Sequence, residues 1–118
     1  MQFIDLKKQQ SKIKNKINQR ISNVLRHGKY IMGPEVFELE KKLAAYVDTK
    51  YCISCSSGTD ALLISLMAKE VGSGDAIITS PFTYIATAEA IQLTGATPVF
   101  VDIEPNTYNI NFELLEDA

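Results

Sequence analysis

Residues 56–60 read SSGTD, three hydroxyls, a glycine and a carboxylate set between the apolar run YCISC and the helix-like run ALLISLMAKEV. A strand that ends in such a loop and passes into a helix presents unpaired backbone N–H groups and a positive dipole end beside Ser and Thr donors. That combination suits a phosphate. Gly58 allows the backbone to approach a ligand closely. The same residues also read as a plain helix start, with Ser57 or Thr59 as the cap and Asp60 complementing the dipole. Asp60 opposes an anion unless its carboxylate points away. There is no G-x-x-x-x-G-K-[ST] and no G-x-G-x-x-G, so a nucleoside triphosphate or a dinucleotide is disfavoured against a single phosphate on a smaller cofactor.

A second loop, TSPFTYIATA, follows the short apolar run AIIT and puts Phe82 and Tyr84 at the same sheet edge as SSGT. An aromatic ring there either stacks on a flat ligand ring or fills core. Cys52 and Cys55 form C-x-x-C, but residues three apart on a strand point to opposite faces, and a redox pair belongs at a helix N-terminus. A zinc site needs about four ligands, and the only histidine is His27. Both thiols are therefore expected to be buried and chemically silent, with no metal bound, and His27 is expected to serve the C-terminal dipole of its helix. Glu116 and Asp117 are adjacent, face different ways on a helix, and make no working carboxylate pair.

The elements that position these residues follow from periodicity. Ile13, Ile17, Ile21, Val24 and Leu25 recur at helical spacing among lysines, and Gly28 ends that helix. In GPEVFELEKKLAAYV, Pro34 suits a first turn, and Val36, Leu39, Leu43 and Val47 form an expected buried stripe. From residue 51 the pattern becomes strand YCISC, helix DALLISLMAKEV, strand AIIT, helix TYIATAEAIQLTG, strand TPVFVDI, then a helix starting near Asn111. Strands alternating with helices predict an α/β fold with a parallel sheet flanked by helices, preceded by two helices. Residues 1–50 read as a helical arm and 51–118 as the start of an α/β domain.

At 118 residues and 46% hydrophobic content, the chain suffices for one compact domain or part of one. Three strands and a final helix without a stop signal suggest a fragment of a larger protein. The longest uncharged stretch falls below the roughly 18 apolar residues of a membrane span, and the N-terminus lacks the order of a secretory signal, so a cytoplasmic, non-membrane protein is expected. Residues 1–29 hold eight basic side chains against Asp5 alone, +7, which leaves −9 for the remainder. A basic arm of this kind either contacts a polyanion such as DNA or packs as a solvated face beside an acidic body.

Taken in order, G-P-E, S-G-T-x-A-L, G-x-G-D-x-[IV]-I-T, T-[FY]-x-A-T-A and G-A-x-P-V-F-V-D-I resemble the N-terminal part of the DegT-type sugar aminotransferases, which are fold-type-I pyridoxal-phosphate enzymes. The resemblance runs from about residue 3 to the end. It is greatest to the members that aminate a 3-oxo nucleotide sugar, such as UDP-2-acetamido-2-deoxy-3-oxo-glucuronate, for bacterial surface polysaccharides including lipopolysaccharide. It implies that residues 51–118 begin the large cofactor-binding domain, that Gly58 and Thr59 bind the phosphate of pyridoxal 5'-phosphate, and that Tyr84 stacks on its ring. The helical arm would help build a homodimer, and the partners would be a nucleotide sugar and an amino-acid donor, with no nucleic acid. The family's catalytic lysine and its ring-nitrogen acid match nothing here: Lys41, Lys42, Lys50 and Lys69 fall elsewhere, and Asp117 follows PVFVDI too closely. No catalytic residue is assigned to this chain, which by itself is expected to be inactive. Two alternative readings stand beside the resemblance, a truncated product that only associates with a homologue or binds a phosphate ligand, and a regulatory, DNA-contacting protein that would use the basic helix.

Overall fold

A computed structural model describes residues 4–118. The chain divides into two compact units between Ser54 and Cys55.

The first unit is built from two helices. Helix α1, Leu6–His27, starts where the Asp5 side chain accepts the Lys8 N–H and stops at Gly28, whose φ of 66° lets its N–H reach the Val24 carbonyl. Helix α2, Pro34–Tyr46, carries its proline in the first turn, where no N–H is needed. Gly33 precedes it with a backbone so close to the Lys29 carbonyl that a Cβ would stand 2.4 Å from that oxygen, so only glycine fits. His27 closes the turn between the helices. Its Nδ1 accepts the Lys29 N–H at 3.1 Å, and its Nε2 lies 3.1 Å from Glu35 Oε1.

The stripe expected to be buried on α2 is not. Leu39, Leu43 and Val47 are exposed, Val36 is half-buried, and among the described residues of this unit Gly33 and Ala44 are the buried ones. Ile13, Ile17, Ile21 and Leu25 of α1 are exposed as well. An apolar stripe is buried only against another element. Here α1 and α2 share no packed seam among the described residues and are tied instead by charge. Arg20 meets Glu38 with both terminal nitrogens, at 2.5 and 2.8 Å, and Lys42 Nζ adds a contact at 2.5 Å.

The Arg20 hydrogen bonds, then the one from Lys42, lower the Glu38 carboxyl from 4.5 to about 2. A folded value below the ordinary one means the tie contributes fully above about pH 4.5 and fades as pH falls toward 2. Exposure keeps that contribution small. Carbon-detected NMR of the Glu38 carboxyl is expected to show the lowered titration, and Arg20→Met to move it back up toward 4.5.

The second unit holds the parallel pair. Helix α3, Gly58–Met67, is followed by strand β1, Ala76–Thr79, helix α4, Ala86–Leu93, and strand β2, Thr97–Phe100. β1 and β2 run parallel in register from Ala76 opposite Thr97 to Thr79 opposite Phe100. The ladder is extended at its ends by Thr97 N–H to the Asp75 carbonyl and Val101 N–H to the Thr79 carbonyl, both 2.9 Å. α4 is the crossover and packs on both strands, while α3 packs on α4. Ala86 and Ala90, four residues apart on one face of α4, are small enough to let the helix settle closely, and Ile91, Ala96 and Val101 complete the buried set.

Three expected elements differ. YCISC forms no strand: residues 51–55 have no ladder partner among the described residues, and the Ser54 N–H is taken at 2.9 Å by the Glu40 carboxylate. α3 ends at Met67 rather than running to Val71, because Glu70 adopts a φ of 60°, outside the helical region. The helix expected near Asn111 is a single 3₁₀ turn, Phe112–Leu114, with Asn111 Oδ1 accepting the Glu113 N–H at 3.0 Å. Upstream of it, Ile103 and Ile110 form an antiparallel bridge that returns the chain after β2.

Candidate functional site

The SSGTD segment is the first turn of α3, and both readings of it are realised at different atoms. Ser57 is the cap: its Oγ accepts the Asp60 N–H at 3.1 Å, and its carbonyl accepts the Ala61 N–H at 3.0 Å. The N–H groups of Gly58 and Thr59, and the Thr59 hydroxyl, have no partner among the described residues. Two adjacent donors at a positive helix end remain available to an anion.

Asp60 is resolved by the same cap. Its carboxylate turns back to accept the Ser56 hydroxyl, and the Ser57 hydroxyl at 3.0 Å. These bonds, the one from Ser56 first, hold the carboxyl below its ordinary value. The negative charge is thus occupied by its own loop. Sequence reasoning raised the question of where Asp60 points but missed Ser56 as its larger donor, although the i, i+4 spacing carries the signal.

Space decides whether a phosphate fits. A Cβ built on Gly58 meets nothing within 4 Å, so the glycine is not required by any neighbour in the chain. The space beside the free donors is open. The residues present therefore fit a phosphate group.

Tyr84 lies on the loop joining β1 to α4, where its carbonyl accepts the Thr87 N–H at 3.1 Å and its ring is 78% exposed. A crossover helix with short connections runs back against its strands, so the start of α4 and Tyr84 beside it sit at the strands' carboxyl edge. α3 leads into β1 and packs on α4. Leu62, Leu66, Ile78 and Ile91 line an apolar cleft of about 340 Å³ where α3, β1 and α4 face one another. The loop after β2 adds a residue that sequence reasoning missed: the Tyr108 ring stacks on Phe82 at 5.6 Å between centroids and 24° between planes.

The remaining candidates do no chemistry together. Cys52 is half-buried in the first unit, and Cys55 is exposed in the second, donating its thiol to the Ser57 carbonyl at 3.3 Å, which corrects the expectation that both are buried. A strand would have supplied the burial, and none forms there. Among the described residues no group of three or more His, Cys, Asp or Glu is placed to hold a metal ion, and no helix is long and apolar enough to cross a membrane.

Comparison with known proteins bears on the same residues. Residues 11–118 match the DegT/DnrJ/EryC1/StrS aminotransferase family. The chain is 61% identical over its 118 residues to the UDP-2-acetamido-2-deoxy-3-oxo-D-glucuronate aminotransferase of Pseudomonas aeruginosa, covering 100% of this chain and 33% of that one. It is similar to the crystal structure of a DegT DnrJ EryC1 StrS aminotransferase from Brucella abortus, with 51% identity and a TM-score of 0.85 over 98% of this chain and 31% of that one. The PLP-form of the Streptococcus pneumoniae sugar aminotransferase Spr1654 matches at 39% identity and a TM-score of 0.79, over 85% of this chain and 26% of that one. The chain thus spans about a third of the length of the curated relatives it matches. The match takes in most of basic α1, which gives that helix a place in an aminotransferase fold and disfavours a separate DNA-contacting role. The expected α/β architecture is borne out, and the chain belongs to the DegT/DnrJ/EryC1/StrS aminotransferase family.

Proposed function

We propose that these residues are the N-terminal part of a pyridoxal-phosphate-dependent enzyme that transfers an amino group, from glutamate, to the keto group of a nucleotide sugar. The product would serve bacterial surface polysaccharide synthesis in the cytoplasm. The observation that carries the reading is the open first turn of α3, with two free N–H donors, a free Thr59 hydroxyl and the Asp60 carboxylate folded away. Its support from relatives is the 61% identity to an aminotransferase of a UDP-linked 3-oxo sugar.

Gly58 and Thr59 would hold the cofactor phosphate, and Tyr84 would set the plane of its ring. When bound, pyridoxal phosphate supplies an electron sink for moving the amino group. Residues 1–50 act as an arm that helps form a homodimer, and residues 51–118 begin the cofactor-binding domain. The lysine that holds the cofactor lies outside these residues, so the 118-residue chain alone does not transaminate.

The test is to supply the purified protein with pyridoxal phosphate, glutamate and a UDP-linked 3-oxo sugar, and to follow 2-oxoglutarate and the amino sugar by mass spectrometry. Equal amounts of both products are expected from the protein that extends beyond these residues, and none from residues 1–118 alone. Retention of the cofactor with no product from any 3-oxo nucleotide sugar would remove the substrate class. Failure to retain the cofactor would remove the whole reading.

A further inference from the structure

The Tyr84 ring has no hydrogen bond and no aromatic partner among the described residues, so its direction is set by the backbone of residues 80–85. Besides the bonds by which the Tyr84 and Ile85 carbonyls enter the first turn of α4, three contacts hold that loop. Ser80 Oγ accepts the Phe82 N–H at 3.1 Å, the Thr83 and Thr87 hydroxyls pair at 3.2 Å, and the Phe82 ring stacks on Tyr108. The first two are local. Among the described residues, the stack is the contact that ties the loop after β1 to the segment after β2.

Tyr108 reaches Phe82 from an unusual backbone. Its φ is 58°, a left-handed conformation that ring-bearing residues adopt uncommonly. The loop around it is closed by Tyr108 N–H to the Glu104 carbonyl and Glu104 N–H to the Asn109 carbonyl, both 2.9 Å, and by the Thr107 hydroxyl on Glu104 Oε2 at 3.0 Å. The closed loop holds Tyr108 in that conformation. Phe82 and Tyr108 remain 65% and 63% exposed, so little apolar burial explains the stack. Its effect is geometric.

We propose that Phe82 and Tyr108 are positioning residues: their stack fixes the loop after β1 so that Tyr84 presents its ring in one orientation to the flat ring of the cofactor. The inference rests on the cofactor reading above. Neither residue touches the cofactor in this role.

The test compares Tyr108→Gly, which removes the ring and relieves the positive φ, with Phe82→Ala and with Tyr108→Phe, which keeps a ring. Amide hydrogen exchange of residues 80–85 in the cofactor-free protein reads the clasp directly. The pyridoxal phosphate dissociation constant and the induced circular dichroism of the bound cofactor read its consequence. Faster exchange, about threefold to tenfold weaker binding and a diminished dichroic band are expected for Tyr108→Gly and Phe82→Ala alike, with Tyr108→Phe restoring all three. Unchanged exchange, or unchanged binding and dichroism while the wild type retains the cofactor, would overturn the positioning role alone. A wild type that retains no cofactor would overturn the cofactor reading and this role with it, and the exchange data would still show whether the clasp exists.

Discussion

Gly58→Ala is expected to leave the fold intact and to weaken retention of pyridoxal phosphate about tenfold to a hundredfold. The first half follows from space, because a Cβ at this position meets nothing within 4 Å and the backbone needs no positive φ. Alanine in a first helical turn is, if anything, favourable to the helix. The second half follows from the two free donors of Gly58 and Thr59, since a methyl group would enter the cradle that a phosphate needs. A hydrogen bond to a charged group contributes roughly 1.5–3 kcal/mol, which sets the expected loss. Thr59→Val, which removes only the hydroxyl, should cost less than Gly58→Ala. Equilibrium dialysis against pyridoxal phosphate measures both, and unfolding curves of the same samples separate binding from stability. A Gly58→Ala protein that binds as tightly as wild type would place the phosphate elsewhere. The contrasting glycine is Gly33, which the chain itself requires.

The largest loss of stability is expected from Ile91→Ala. Ile91 is 3% exposed on α4, between the two strands and α3, and is the largest side chain in the buried set of the second unit. Truncating a buried isoleucine to alanine costs about 2–5 kcal/mol, depending on how far the site collapses. The cleft beside Ile91 already leaves room for its neighbours to relax, so a value of about 2–3 kcal/mol is expected. Ile91→Val should cost about 0.5–1.5 kcal/mol and serve as the graded control. Urea unfolding monitored by circular dichroism gives both numbers from the shift in midpoint at constant slope. A loss below that of Ile91→Val would mean that α4 is not held by this contact. Cofactor retention should fall with Ile91→Ala only as far as the folded fraction does, unlike the effect at Gly58.

The sequence made the alternation of helix and strand legible from residue 58 on, because AIIT and TPVF are short apolar runs with a helix of the right length between them. It also made Gly28 and Pro34 legible as a helix end and a helix start, since φ and the missing N–H leave those residues few other places. YCISC shows why the rest was not. Its residues have strand propensity, but a strand exists only with a partner, and propensity cannot supply one. The stripes on α1 and α2 fail for the same reason, as periodicity reports which face could be buried and not whether anything covers it. Within the site, a cap at Ser57 or Thr59 was readable from residue type, and Ser57 is the one that caps. The fate of the Asp60 charge and the stack of Tyr108 on Phe82 depend on side-chain directions and on a left-handed φ in EPNTYNI, where no glycine marks it.

The proposed function requires the first turn of α3 to hold the phosphate of pyridoxal phosphate. The most direct measurement is a crystal structure of the protein with the cofactor bound, reading the distances from the phosphate oxygens to the Gly58 and Thr59 nitrogens. Oxygens within about 2.7–3.2 Å of both nitrogens, with Tyr84 against the cofactor ring and Asp60 still turned to its serines, is the predicted result. A phosphate bound away from this turn, with both N–H groups left to water, would contradict it.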